Sequence, residues 1–193
     1  MTNTHDELAD AFREKRIVVG VTGGVAAYKT CALVSRLSQA GAIVTPILTE
    51  SAARFVSPLT FEALAASPVY TSMWERIEAH DPQHIAIARR ASAMVVAPCT
   101  MNCLAQLAMG LASDVVTLVA SAIDRARTPL LLAPAMNAVM WRQPATQRNI
   151  ASLRDDGFAF IGPDEGWQAC RTVGPGRMAE PDTILHALAG LLR

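Results

Sequence analysis

The stretch that decides the fold is Pro129-Leu-Leu-Leu-Ala-Pro-Ala-Met-Asn-Ala-Val-Met-Trp141. Residues 130–133 are a short apolar run between prolines, which reads as a strand buried on both faces of a parallel sheet. Pro134 has no N–H to give the ladder, so the chain is expected to leave the sheet there. Ligands of open α/β sheets bind in the crevice at the carboxyl ends of the strands. Asn137, a polar group just past such an end, is therefore aimed at a site, unless it is a loop asparagine that caps the next turn.

Working outward, the same arrival recurs upstream. Residues 93–97 form another apolar run closing on Ala97-Pro98, after which Thr100 and Asn102 stand at the start of a helix running to about Met109. Two strands that end in Ala-Pro put two loops at one sheet edge, and so give one pocket both walls. Residues 17–21, Ile-Val-Val-Gly-Val, read as the first strand; a helix lasting to about Gln39 separates them from a second at 43–48. Short helices are expected at 51–55 and 60–66, broken by Pro58 and Pro68. Asp81 should cap a helix with Pro82 at its first position, Ser113 should cap another at 115–123, and Pro144 should begin a third, followed by a strand at 158–161. Thr4 should cap a peripheral N-terminal helix or arm within 1–15. Strands alternating with helices predict one three-layer α/β domain, 1–193, around a doubly wound parallel sheet of Rossmann-like type.

Between the first strand and its helix lies Thr22-Gly-Gly-Val-Ala-Ala-Tyr-Lys29. Glycines let backbone approach a ligand closely, and the N–H groups of a helix start favour an anion. The spacing is not Gly-x-Gly-x-x-Gly, and Thr49 ends the second strand where a ribose-binding acid would stand, although Glu50 follows. A P-loop would need Gly in place of Tyr28. A generic phosphate or flavin loop remains, as does a turn whose glycines serve packing alone. His84 falls in a first helical turn, where the dipole favours a neutral imidazole able to accept a proton; a plain surface histidine is the alternative. Residues 162–180 hold so many glycines and prolines that they read as a functional loop or flap. Within it Cys170 is either a small hydrophobe or a working thiol.

Bulk properties bound the rest. Seventeen acidic and seventeen basic residues cancel in a chain of 193, so nothing points to nucleic acid or a charged membrane surface. No apolar run approaches the roughly 20 residues a spanning helix needs, and the polar start holds no signal-peptide core. Four cysteines, Cys31, Cys99, Cys103 and Cys170, form no zinc spacing and no disulfide framework, which fits a reducing cytoplasm; no metal is expected.

The Pro-Ala-Met-Asn-x-x-Met-Trp run resembles the Pro-x-Met-Asn-x-x-Met-Trp motif of the homo-oligomeric flavin-containing cysteine decarboxylases. Residues 20–29, 84–89, 97–102 and 166–178 resemble further blocks of that family in the same order, so the likeness spans nearly the whole chain. It implies a flavoprotein fold with FMN held by Gly23, Gly24, Val25, Thr49, Ala97, Pro98, Thr100 and Asn102. Cys99 and Met101 replace small residues of the family's Ala-Pro-Ala-Thr-Ala-Asn block. His84, in His-Ile-Ala-Ile-Ala-Arg, stands where the family has its active-site histidine. The flap resembles Ala-Cys-Gly-x-x-Gly-x-Gly-Arg-Met, with Arg171 and Thr172 where Gly and often Asp are usual.

The mechanism so implied passes a hydride from the substrate's β carbon to FMN, giving a thioaldehyde that loses carbon dioxide to leave an ene-thiolate. Asn137 holds the departing carboxylate, His84 handles a proton, and Cys170 donates the proton that lets the ene-thiol be reduced again. Relatives without the cysteine flap stop at the ene-thiol. Cys170 thus implies 4'-phospho-N-pantothenoylcysteine as substrate and 4'-phosphopantetheine as product, a coenzyme A step, with Met140, Arg177 and Met178 beside the substrate and Arg177 and Lys29 as candidates for its phosphate. The family assembles as trimers or dodecamers with flavin at subunit contacts. Many relatives continue into a ligase domain; here a separate phosphopantothenate–cysteine ligase is expected. A flavin prenyltransferase, a P-loop-like protein and a non-catalytic FMN-binding regulatory subunit are the competing readings. The first lacks the Met-Asn run and the flap, and Tyr28 opposes the second.

Overall fold

The computed structural model describes residues 4–74 and 82–193. In chain order the elements are α1 (Thr4–Phe12), β1 (Arg16–Val21), α2 (Ala27–Gln39), β2 (Ile43–Leu48), α3 (Glu50–Ala53), α4 (Pro58–Ala65), α5 (Gln83–Arg90), β3 (Ala93–Cys99) and α6 (Met101–Ala108). There follow α7 (Val115–Ala122), β4 (Leu130–Pro134), α8 (Ala138–Arg142), α9 (Pro144–Asp155), β5 (Ala159–Phe160), β6 (Asp164–Trp167), β7 (Val173–Arg177) and α10 (Pro181–Leu191).

β1 to β5 form one parallel sheet in the order β2-β1-β3-β4-β5. Side chains alternate along each strand, and both faces are covered. Ile17, Val19, Val21, Val95 and Leu131 pack with Leu33 and Leu37 of α2, Phe61 of α4 and Leu185 and Leu188 of α10. Val18, Met94, Val96 and Leu132 pack with Leu104 of α6, Val116 and Val119 of α7 and Ile150 and Leu153 of α9. Burying such a side chain contributes about 1.5–3 kcal/mol, which is why continuous apolar runs replace a polar alternation here. The fit is close: a Cβ on Gly20 would stand 2.9 Å from Val116 Cγ1. The strand order reverses between β1 and β3, and a sheet of this order binds ligands at that switch point.

Several local expectations are corrected. The strand does end at Pro134, but Pro134 is itself its last paired residue: Cys99 pairs with Pro134, and the N–H that proline lacks is supplied by Ala135, which donates to Cys99 O at 3.0 Å. Pro98 likewise lies inside β3, where the register shifts between Val96 and Cys99. Asp114, not Ser113, caps α7, its carboxylate accepting from Val116 N at 2.9 Å and Thr117 N at 3.0 Å in a capping box. Ser113 instead accepts from Gln106 Nε2 at 2.6 Å. Pro82 is the cap position of α5 rather than its first residue, with ψ of 119°; Asp81, expected to cap, lies outside the described residues. Thr4 is already helical, and the strand expected at 158–161 pairs over two residues only.

The expected flap is an antiparallel hairpin, β6 with β7. At its turn Arg171 N donates to Gln168 O at 2.9 Å and Gln168 N to Thr172 O at 2.9 Å. Arg171 takes φ 64°, the left-handed conformation in which glycine is at ease. β7 is docked to the loop after β4 by Met136 N donating to Gly176 O at 2.9 Å. That approach requires glycine, because a Cβ on Gly176 would stand 2.2 Å from Met136 O and its φ is 124°.

Candidate active site

Three loops leave the carboxyl ends of β1, β3 and β4, and the hairpin lies across them. Together they enclose a cleft of about 780 Å³, within the ~300–1,000 Å³ usual for small-molecule sites. Gly23, Gly24, Val25 and Tyr28 form one wall, Thr100, Met101 and Asn102 a second, Met136, Asn137 and Met140 a third; Trp167, Cys170, Arg177 and Met178 close it.

The first two walls are bolted together by Thr22. Its hydroxyl donates to Pro98 O at 2.7 Å and accepts from Thr100 N at 3.1 Å. Thr100 in turn caps α6, accepting from Cys103 N at 3.3 Å. The glycine turn closes by Ala27 N donating to Gly24 O at 2.9 Å. Among the described residues no acceptor stands on the N–H of Gly23, Gly24 or Val25, which leaves donors at a helix start.

Asn137 caps α8: Oδ1 accepts from Val139 N at 2.7 Å and Met140 N at 3.4 Å. That bond fixes which amide end faces outward. Nδ2 donates to Cys170 Sγ at 3.3 Å. Cys170 is exposed, and its sulfur also meets Thr172 Oγ1 at 3.0 Å. The hydrogen bonds from Thr172 and then Asn137 favour the thiolate and hold the Cys170 thiol below the usual cysteine range. By contrast, burial pushes the Cys99 thiol well up, so Cys99 beside Cys103 is inert packing. Among the described residues no group of three or more His, Cys, Asp or Glu could hold a metal.

At the cleft edge Lys29 Nζ pairs with Glu180 Oε1 at 2.8 Å, and Arg177 Nη1 reaches the same oxygen at 3.2 Å. The Lys29 bond is the main cause holding the Glu180 carboxyl below the usual range.

Of the residues singled out from the sequence, Gly23, Gly24, Val25, Thr100, Asn102, Asn137, Met140, Cys170, Arg177 and Met178 share this cleft. Thr49, Ala97, Pro98 and His84 do not line it. Thr49 caps α3 through Ala52 N at 3.1 Å. Ala97 accepts from Thr30 Oγ1 at 2.7 Å and lies beneath the walls with Pro98. His84 sits in the first turn of α5. Sequence reasoning missed the Thr22 bolt, Glu180 and Gln168. Only Glu180 left a signal, three residues after Arg177 on a helix start.

The Flavoprotein family matches residues 5–193. This chain belongs to that family. Over 171 residues, 89% of the chain, it is 47% identical to a coenzyme A biosynthesis bifunctional protein, CoaBC, of Bacillus subtilis, and spans 41% of that relative's length. A solved PPC decarboxylase, a Cys-to-Ser mutant complexed with pantothenoylaminoethenethiol, is 32% identical with a TM-score of 0.84, covering 93% of this chain and 98% of that one. The FMN binding protein AtHal3 is 32% identical with a TM-score of 0.81, over 93% and 97%. The flavoprotein α/β fold is thus shared with both solved structures. No helix among the described residues is long and apolar enough to cross a membrane.

Proposed function

We propose that this flavoprotein catalyses the FMN-dependent decarboxylation of 4'-phospho-N-pantothenoylcysteine to 4'-phosphopantetheine in coenzyme A biosynthesis. The observation that carries the reading is the meeting of the Asn137 amide and the Cys170 thiol, 3.3 Å apart, over the glycine-walled cleft. Relatives named for coenzyme A biosynthesis, and a solved relative holding an ene-thiol, support it.

The residues fit a flavin. A Cβ on Gly24 would reach within 3.5 Å of Thr100 Cγ2 and 3.9 Å of Pro98 Cγ, so its absence is what keeps the gap between two walls open. Val25, Met101, Met136 and Trp167 supply apolar contact for a flat ring, and the N–H groups of the glycine turn suit a phosphate. FMN bound there supplies the reversible electron sink that loss of carbon dioxide from a cysteine derivative requires.

The chain's own groups supply position and protons. Asn137 Nδ2 donates to the substrate carboxylate, its aim fixed by the cap that Oδ1 makes. Cys170, made a better acid by Thr172 and Asn137, gives up the proton that completes the reduced product. Lys29 and Arg177 face the substrate phosphate, with Glu180 holding both chains in place. His84 does not line the cleft within one protomer, whereas Val25, Tyr28, Val139 and Trp167 around it are exposed. A homo-oligomer, a trimer or a dodecamer, would cover those residues and bring His84 of a second copy to the flavin.

The test is direct. Protein purified as it folds is expected to be yellow and to release carbon dioxide from 4'-phospho-N-pantothenoylcysteine. A yellow protein that releases none would sink the enzymatic reading, and a colourless one not rescued by added FMN would sink the flavin.

A further inference from the structure

Gln168 is buried, 7% exposed, in a hairpin turn that is otherwise open to solvent. Its Oε1 accepts from Ala138 N at 3.2 Å, and both Cys170 Sγ, at 3.6 Å, and Thr172 Oγ1, at 3.5 Å, point to the same oxygen. Its Nε2 donates to Pro175 O at 2.8 Å and Gly174 O at 3.4 Å. One amide thus joins the first residue of α8, the backbone of β7 and the two side chains of the turn. The neighbouring backbone is shaped for it: a Cβ on Gly176 would stand 2.9 Å from Gln168 Nε2, and one on Gly174 would stand 3.0 Å from Ala138 Cβ. A buried amide with both ends satisfied fixes one geometry, because any other arrangement strands donors or acceptors away from water.

We propose that Gln168 is a positioning residue that pins the turn carrying Cys170 onto the start of α8, and so holds the thiol against the Asn137 amide. Asn137 does not depend on this clamp, since its own Oδ1 is bound to Val139 N and Met140 N. Removing the clamp therefore separates two tasks: holding the carboxylate persists, while delivery of the Cys170 proton fails. The activity part of this inference rests on the decarboxylase reading; the thiol part does not.

The test uses full-length Gln168→Leu with its flavin bound, and compares the rate of Cys170 alkylation by iodoacetamide against pH with that of the unaltered chain. The midpoint is expected to move up toward that of an ordinary cysteine, with hairpin amides exchanging faster. In a single turnover with 4'-phospho-N-pantothenoylcysteine, one carbon dioxide per flavin should still be released while the two electrons stay on the flavin and formation of the reduced product slows about 10²-fold, the scale of a misplacement near 1 Å. If Gln168→Leu does not fold, Gln168→Asn is read the same way, being one methylene too short to reach Ala138 N and Pro175 O together. An unmoved alkylation midpoint in a folded variant, or equal loss of carbon dioxide release and of reduced product, would overturn the positioning role. Absence of carbon dioxide release from the unaltered chain would instead sink the decarboxylase reading and leave the alkylation result standing.

Discussion

Asn137 uses its two amide ends for different work: the oxygen closes the start of α8, and the NH₂ faces the cleft and Cys170. Asp is as good a cap as Asn, so Asn137→Asp should leave the melting temperature nearly unchanged and the flavin bound. It should still abolish carbon dioxide release, because a carboxylate would face the substrate's carboxylate. Asn137→Ala should lose activity and, separately, about 1 kcal/mol of stability as the cap is lost, read by denaturant titration. Turnover by Asn137→Asp at the unaltered rate would remove the residue from the mechanism. Glu180 gives the pH counterpart. Lys29 lowers its pKa in the folded chain, so its contribution to stability is fully present above the ordinary glutamate value of about 4.3 and is lost as pH falls through the lower folded value. Glu180→Gln should therefore lower stability at neutral pH and weaken its pH dependence below about pH 4.3, measured by melting temperature against pH.

At the scale of elements, the hairpin sets two positive-φ residues against each other. Arg171, at φ 64°, has room for its side chain and carries only the backbone cost of the left-handed region. Arg171→Gly should stabilise by up to about 1 kcal/mol, the relief being partly offset by the freedom glycine gains when unfolded. Gly176→Ala should go the other way by more than about 2 kcal/mol, since the added Cβ would meet the Met136 carbonyl and undo the docking of β7. Hydrogen exchange of the hairpin amides checks both. The same scale marks what was readable in the chain. β1, β2 and β4 stood out because a buried strand shows as a bounded apolar run. The caps were harder: Ser113 and Asp114 are both good capping residues, and the reciprocal bond that Asp114 N donates to Thr117 Oγ1 decides between them. The hairpin was hidden among glycines and prolines that equally describe a loop. Its docking on the loop after β4 depends on Gly176 meeting Met136, a contact between segments far apart in sequence.

At the scale of the whole molecule, the sheet order puts the loops after β1, β3 and β4 side by side and leaves α5, with His84, away from their cleft. If copies complete one another's sites, inactive His84→Asn and Asn137→Asp chains unfolded together and reassembled should recover about a quarter of normal activity, as random assortment of protomers requires. No recovery, with mixed oligomers shown by mass, would place both residues in the same protomer's site. The sequence alone determined the strand runs, the glycine turn and the chemical types gathered for the site, because periodicity and backbone freedom are local properties. Only the tertiary structure decided that Thr49 caps α3, that Glu180 pairs with Lys29, and that Gln168 Oε1 meets both Ala138 N and the Cys170 thiol. The last two depend on which distant groups become neighbours, and that is fixed by burial of the sheet's two faces and by the pairing of polar groups shut away from water.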